Sequence, residues 1–473
     1  MAFKPYNPDQ GDLFGWRVSD CLEDSDPAYI IAEVVAELDM RDFAWQGEGC
    51  GQPPYAPQQM LAILLYGMIR GVFSSRSLAA SCRRDMGFIY LSAGARPCFK
   101  TICNFRNSHG VAIRSLMSQV ISVLRRSGIA VAGRLVLDST RIAASASRDG
   151  MIRADSYDQA LAAIDGYLDR SARDDQSDDD DYGDDDPEVL PAGLRTRRQR
   201  AAAVKAAIER ARGGGRKAVS PVDVEAEQMR MSDSGKIKPG YALQAGIDKD
   251  SGVITVSDAS CEPTDNGFLA EAVRQHRANV GEGVTELDAD SGYYSAGTLR
   301  ELEADGIDTC VADGGAAAQV RSGKQGRFGV DDFEPVADAD VWLCPMGQPL
   351  VREGVHNSKG QSVATYRVGK QHCSTCPVSE RCLRACDRGR RRLEVWPNHR
   401  FKRANRQRFE DPDHAARYRK RGSYIERVFG HLKHNLGLRQ WLHRGLEKVR
   451  TTAALIGMAH NIALLARVRA TRA

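Results

Sequence analysis

No uninterrupted apolar stretch in this 473-residue chain approaches the ~20 residues that cross a bilayer, so a membrane-spanning protein is not expected. The opening MAFKPYNPDQGDLFGW lacks the apolar core of a secretory signal, which argues against export. A Gly-rich loop ending in Gly-Lys-Ser/Thr is also missing, so nucleotide hydrolysis has no support. Without an export signal, the 12 cysteines are expected to be reduced thiols, some of them metal ligands. What remains is ordinary for a globular chain: 42% hydrophobic residues, 27% charged residues and a mean hydropathy of −0.42. The length suggests roughly two to four domains, each able to bury a core.

The net charge of +4 conceals a strong segregation. Residues 165–188 carry twelve acids and two arginines, a net of −10, which leaves the remainder at +14. Segments 195–217 and 381–450 carry net +8 and +14. Blocks of this kind suit a polyanionic partner, nucleic acid above all, and on charge alone they equally suit solvated helix faces.

The first 130 residues read as helical. Met60, Leu61, Ile63, Leu64, Leu65, Met68 and Ile69 recur at helical spacing, a serine of Ser74-Ser75-Arg76-Ser77-Leu78-Ala79-Ala80 can cap a short helix, and a further helical pattern runs from Thr101 to Arg126. Basic positions Arg76, Arg83, Arg84 and Arg106 suit a helix-turn-helix module, and a dimerisation bundle fits the pattern nearly as well. At Arg134–Asp138 the pattern changes to a short apolar strand closed by a carboxylate. Residues 150–235 read as an insertion: an acidic tract expected to be disordered, a basic helix Leu194–Arg212, then Gly213-Gly214-Gly215. Strands are predicted over Tyr241–Ile247, Gly252–Ser257, Val284–Asp288 and Asp308–Ala312, with a helix over Phe268–Ala278, which together point to a mixed α/β core. Residues 320–400 are turn-rich and hold clustered cysteines, and helical periodicity returns over His414–Leu436 and Leu446–Ala466.

Three carboxylates stand at informative places: Asp138 at a strand end, Asp288 or Asp290 between a strand and a glycine turn, and Glu426 in a basic helix. Acids converging on a sheet edge can hold Mg²⁺, and two such ions can drive phosphodiester cleavage. Each acid alone fits a turn cap or an arginine pair as well. Cys373-x2-Cys376 is a half-site for tetrahedral zinc that Cys344 and Cys382 can complete, with His372 as a substitute ligand. The other cysteines read as packing residues, and Trp441 as a core tryptophan.

Three blocks in order carry a resemblance: Leu137-Asp138-Ser139-Thr140, Ala289-Asp290-Ser291-Gly292-Tyr293-Tyr294-Ser295, and Glu426-Arg427-Val428-Phe429-Gly430-His431-Leu432-Lys433. They resemble the catalytic blocks of bacterial insertion-sequence DDE transposases. Gly51-Gln52-Pro53-Pro54-Tyr55, Leu64–Gly71, Lys238–Ala245, Thr264-Asp265, Arg444–Val449 and Ala459-His460-Asn461 extend the similarity over most of the chain.

The resemblance implies an α/β fold with an RNase H-like mixed-sheet catalytic core, an N-terminal all-helical DNA-binding domain and a small cysteine-rich, zinc-like insertion. On this reading 1–130 is the DNA-binding domain; 131–149, 236–319 and 401–473 form the core; 150–235 and 320–400 are insertions. Asp138, Asp290 and Glu426 become the metal triad for two Mg²⁺ ions, with Mn²⁺ as a substitute, and the Asp-x-Gly-Tyr context selects Asp290 over Asp288. The family's Cys-Pro, Cys-x2-Cys and further Cys support Cys344, Cys373, Cys376 and Cys382 as ligands of a structural zinc. Lys433 matches the lysine that follows the third acid, and Tyr418, Arg419, Arg421, Arg427 and Lys433 are expected on DNA.

The family spacing Tyr-x2-Arg-x3-Glu-x6-Lys is broken at one point: Gly422 occupies the arginine position, and Arg421 stands five residues before Glu426. A helix break at Gly422, or use of Arg419, would restore the geometry. The implied activity is recognition of element ends with Mg²⁺-dependent cleavage and strand transfer, on double-stranded DNA, by a cytoplasmic, nucleoid-associated homodimer without a membrane partner. A transposase-derived DNA-binding regulator and a nuclease of the same fold are the rival expectations.

Overall fold

The computed structural model describes residues 3–11, 17–43, 53–147, 149–168, 192–231, 234–314, 328–336, 339–358, 360–369, 371–384 and 387–472. Most of the acidic tract, expected to be disordered, and the cysteines at 50 and 386 lie outside the described residues. The chain folds as two units, one of residues 1–265, 272–284 and 422–473, the other of residues 266–271 and 285–421.

The first unit begins with helices α1 (Pro27–Glu37), α2 (Pro57–Arg70), α3 (Ser75–Ser81), α4 (Met86–Leu91), α5 (Phe99–Ser108) and α6 (Gly110–Arg126). Their ends follow capping chemistry. Asp26 accepts the Ala28 N–H at 2.8 Å before Pro27 opens α1, and of the serines that could cap the next helix it is Ser74 that accepts the Ser77 N–H, at 3.0 Å. The single helix expected over Thr101–Arg126 is two, parted at His109. The second helix opens on Gly110, where a Cβ would sit 2.7 Å from Thr451 Oγ1, so glycine lets the two segments approach.

These helices share one hydrophobic cluster with an antiparallel sheet built on β1 (Arg134–Ala143) and with the C-terminal helix. Two short strands, β2 (Ile152–Arg153) and β3 (Ala218–Val219), pair beside a helix over 157–168, α7, and the basic helix α8 (Ala192–Gly213). Tyr157, Val204, Ile208, Ala211 and Val219 give this part of the insertion its own small core. Strand β5 (Ile237–Asp248) pairs β1 along one edge and β4 (Glu227–Arg230) and β6 (Ile254–Ser260) along the other.

Asp138 does not close its strand, as the sequence suggested. Pairing with β5 continues to Ala143↔Gly240, because Thr140 and Ile142 keep the buried alternation going.

The unit contains the C-terminal helix Leu446–Arg472, whose stretch Leu446–Thr471 is long and apolar enough to cross a membrane, contrary to the sequence reading. Of its apolar 18-residue window 72% is buried within the protein, as in a core helix. Trp441 is fully buried, as expected.

The second unit pairs β7 (Glu286–Ala289) with β8 (Asp308–Val311) in parallel. The turn-rich region then folds as a five-stranded antiparallel sheet, with β9 (Glu334–Pro335), β10 (Val341–Leu343), β11 (Pro349–Ser358), β12 (Gln361–Val368) and β13 (Arg392–Val395) side by side in reverse order. Its strands escaped the sequence reading because β11 is exposed on both faces along most of its length and shows no apolar alternation. Phe333, Trp342, Leu350, Tyr366, Val368 and Leu393 form its core. Taken together, helices and sheets make the architecture mixed α/β.

Candidate active site

In the first unit, Leu135, Val136 and Leu137 are fully buried and anchor β1, while Asp138 and Ser139 are half-buried. The Ser139 N–H donates to Asp138 Oδ1 at 2.7 Å. Ser139 Oγ donates to Asp265 Oδ2 at 3.0 Å, and Gln244 Nε2 donates to Asp265 Oδ1 at 2.7 Å. Asp265 is 5% exposed and had no role in the sequence reading; only its place in the Thr264-Asp265 block hinted at it.

The helix Pro412–Gly430 carries Glu426. It passes through Gly422 without a break, which removes the first of the two ways of restoring the arginine spacing. Five residues of α-helix put Arg421 about 140° around the axis from Glu426. Ile425 and Phe429 are buried and seat the helix, leaving Glu426, Arg427 and Arg419 exposed. Gly422 lies one turn before Glu426, and a Cβ on it would come within 2.7 Å of Glu426 Oε1. Beyond Gly430 the backbone widens into a π turn, His431–Asn435. Such turns recur at functional sites. Lys433 Nζ, within this turn, donates to the Arg141 carbonyl at 3.1 Å. The ammonium that follows Glu426 thus rests on the strand that carries Asp138.

The second unit separates the two aspartates that pattern alone could not. Asp288 is 1% exposed and accepts from Arg417 Nε at 2.7 Å, while the same guanidinium binds Asp308. Burial alone would lower the Arg417 pKa, but the hydrogen bonds and charges of Asp288 and Asp308 hold it above its ordinary value. Asp290 is half-buried and caps the turn Ser291–Tyr293, accepting the Gly292 N–H at 2.7 Å. Tyr418 stands by this turn: burial raises its hydroxyl pKa, Arg421 lowers it, and the Asp290 charge raises it further. The Arg421 guanidinium lies 5.2 Å from the Tyr418 ring centre, and Phe409 meets the same ring edge-on at 5.4 Å. Tyr418, Arg421 and Asp290 are therefore brought together.

Cys344, Cys373, Cys376 and Cys382 all line one cavity of about 270 Å³, with His372 and Arg391. The Gln348 N–H donates to Cys344 Sγ at 3.3 Å and the Arg391 N–H to Cys373 Sγ at 3.5 Å. Burial, partly opposed by the Arg391 charge and reinforced by the other three cysteines, pushes the Cys382 thiol up to about 11. Arg391 is itself buried and paired with Asp387 at 3.3 Å, which fixes the loop behind Cys382. Among the described residues no group of three or more His, Cys, Asp or Glu stands at metal-binding spacing, so zinc would have to draw these thiols together.

The family described as Transposase DDE domain matches residues 343–466, which include the four cysteines, Tyr418, Glu426 and Lys433. A second family, Transposase domain (DUF772), matches residues 17–108. The chain thus carries a DDE transposase domain and a second transposase domain, which together support an insertion-sequence DDE transposase. The transposase is accordingly an enzyme of DNA cleavage and strand transfer, a class that binds DNA and uses divalent metal. Both matches leave out Asp138 and Asp290, which lie between them. No curated protein and no solved structure matches the transposase.

Proposed function

We propose that the transposase cuts and joins element-end DNA with Asp138, Asp290 and Glu426 as its metal-binding acids, within an RNase H-like core. The observation that carries this reading is the Lys433 ammonium on the Arg141 carbonyl, which ties the helix segment after Glu426 to the strand of Asp138. The donor set fits the group: Asp138 and Asp290 are half-buried, Glu426 is exposed, and all three offer the hard oxygens that Mg²⁺ or Mn²⁺ takes, whereas Asp288 is sequestered by Arg417. Two bound Mg²⁺ ions would supply charge stabilisation for the attacking and leaving oxygens of the phosphodiester. Gly292 and Ser139 orient their carboxylates through backbone N–H groups. Tyr418 and Arg421 brace the Asp290 turn, and Lys433 offers a point charge to the scissile phosphate. In strand transfer the liberated 3′-hydroxyl replaces water at the same acids.

The N-terminal helices and the exposed Arg419 and Arg427 contact element ends, and two ends call for at least a homodimer, on the nucleoid. Cys344, Cys373, Cys376 and Cys382 hold one structural zinc, a role supported by their shared cavity and by backbone N–H groups aimed at two of the sulfurs. Metal analysis of the purified chain is expected to return about one zinc per chain; none under reducing conditions removes the site. For the acids, Asp290→Asn is expected to abolish Mg²⁺-dependent nicking of a plasmid carrying element ends. A variant that still nicks and joins would sink the assignment.

A further inference from the structure

We propose that Asp265 is a positioning residue that holds the stretch of β1 serving both the Asp138 carboxylate and the Lys433 ammonium. The inference rests on the reading of Asp138 as a metal-binding acid. Side chains alternate along a strand, so Ser139 and Arg141 share one face of β1 and Asp138 takes the other. Register sets Gln244 of β5 directly opposite Ser139, on that same face. Asp265, in the loop after β6, is buried against these three side chains. Its Oδ1 accepts from Gln244 Nε2 at 2.7 Å, and its Oδ2 accepts from Ser139 Oγ at 3.0 Å and pairs with Arg141 Nη2 at 3.5 Å. The same arginine nitrogen donates to the Pro263 carbonyl at 3.2 Å, which fastens the loop a second time.

Two of the side chains that Asp265 grips do a second job through their backbone. The Ser139 N–H aims Asp138 by donating to its Oδ1 at 2.7 Å, and the Arg141 carbonyl receives Lys433 Nζ at 3.1 Å. One carboxylate on the far face of the strand therefore fixes the backbone groups that orient the acid and the ammonium. Asp265 is not itself placed as a metal ligand. It lies against the face opposite the Asp138 side chain, it is buried where Asp138 is half-buried, and both of its oxygens already accept from donors. Burying a carboxylate is costly unless such donors surround it, and here each donor comes from a strand of the sheet that carries the acid.

Three variants of the full chain test this, each followed by thermal melting, by Mn²⁺ titration with element-end DNA bound, read by electron paramagnetic resonance, and by cleavage at saturating DNA. All are assayed at a temperature where the variant is folded. Asp265→Ala is expected to melt lower than the wild type, to bind Mn²⁺ about tenfold more weakly and to cleave roughly 10–100-fold more slowly, as when the support of a metal ligand is removed. Ser139→Ala deletes one hydroxyl and leaves Gln244 and Arg141 on Asp265. It should melt close to the wild type yet weaken Mn²⁺ binding and slow cleavage about tenfold. Asp265→Asn should recover most of what Asp265→Ala loses, because its amide oxygen accepts from Gln244 and its NH₂ donates to the Ser139 hydroxyl, which can accept as well as donate. Wild-type Mn²⁺ affinity and cleavage in folded Asp265→Ala, or in Ser139→Ala, would overturn the proposal and leave the contacts a tie within the sheet. An Asp265→Asn protein as impaired as Asp265→Ala would overturn it too, since only a charged ligand fails on that exchange. Asp138→Asn separates the layers. If it binds Mn²⁺ and cleaves normally, the acid assignment itself fails; if it is inactive while Asp265→Ala and Ser139→Ala are normal, only the role of Asp265 falls.

Discussion

At Asp288 the Arg417 guanidinium arrives from 129 positions along the chain and closes on a carboxylate that is 1% exposed. Two residues later, Asp290 keeps one face toward solvent and spends its Oδ1 on the Gly292 N–H. The substitutions should therefore separate stability from chemistry. Asp288→Asn is expected to cost about 1–3 kcal/mol in denaturant unfolding, since it strips a buried charged hydrogen bond from Arg417. Asp290→Asn should stay within about 0.5 kcal/mol, because asparagine also accepts the Gly292 N–H. Cleavage should show the reverse order, with the folded Asp288→Asn protein active. Equal stability losses for the two would contradict this division. Sequence offered both aspartates after an apolar strand, and the choice between them came from resemblance; no local signal announces a partner as distant as Arg417. Asp265 was hidden for the same reason, being defined by Ser139 and Gln244 from two neighbouring strands. The grouping of the four cysteines was legible from the Cys-x2-Cys spacing together with the resemblance, and the four line one cavity.

Strands β5 and β6 were both readable in the sequence, but the way the C-terminal helix fastens to β6 was not. The block Ala459-His460-Asn461 stood out in the sequence, and its use is packing. Asn461 is fully buried: its Oδ1 accepts the Ile254 N–H and its Nδ2 donates to the Ile254 carbonyl, both at 2.8 Å. The amide thus satisfies both backbone groups of Ile254, as a paired strand would. One turn earlier Gly457 brings the helix close, since a Cβ there would sit 2.6 Å from Ser257 Cβ. Asn461→Leu would leave two buried backbone groups unsatisfied and is expected to cost about 2–5 kcal/mol; a loss below about 0.5 kcal/mol in urea unfolding would contradict the pairing.

His460, on the same face, contacts the Gly252 carbonyl at 3.1 Å, and burial lowers its pKa to about 4. The folded chain therefore resists a proton that the unfolded chain takes up near pH 6.5. Stability should hold above pH 6.5 and fall as pH drops toward 4, by up to about 1.4 kcal/mol per unit from this group. His460→Gln, which can still donate to Gly252, should flatten that part of the profile. Helix existence followed from periodicity, but periodicity carried neither the split at His109 nor the π turn after Gly430.

Over the whole molecule, the charge balance is set by where opposite charges have already met. Within the insertion, Lys205 pairs with Asp165 at 2.6 Å and Arg212 with Asp158 at 2.8 Å, so acids near the tract are matched by the basic helix beside them. Residues 174–188 add ten acids and no lysine or arginine. Their charge has the sign and density of a phosphate backbone, and the basic segments are the surfaces that such a polyanion would occupy. We propose that this stretch competes with DNA and limits binding away from element ends. Replacing 174–188 by an uncharged Gly/Ser stretch of equal length is then expected to tighten binding to random duplex DNA at low salt, measured by fluorescence anisotropy. The gain should shrink as salt rises, because screening weakens both the intramolecular competitor and the DNA contacts it displaces. Preference for element ends over random DNA should fall in parallel, since contacts to base edges are not relieved by removing a charge. An unchanged affinity at low salt would make the tract a passive spacer between Asp138 and Asp290.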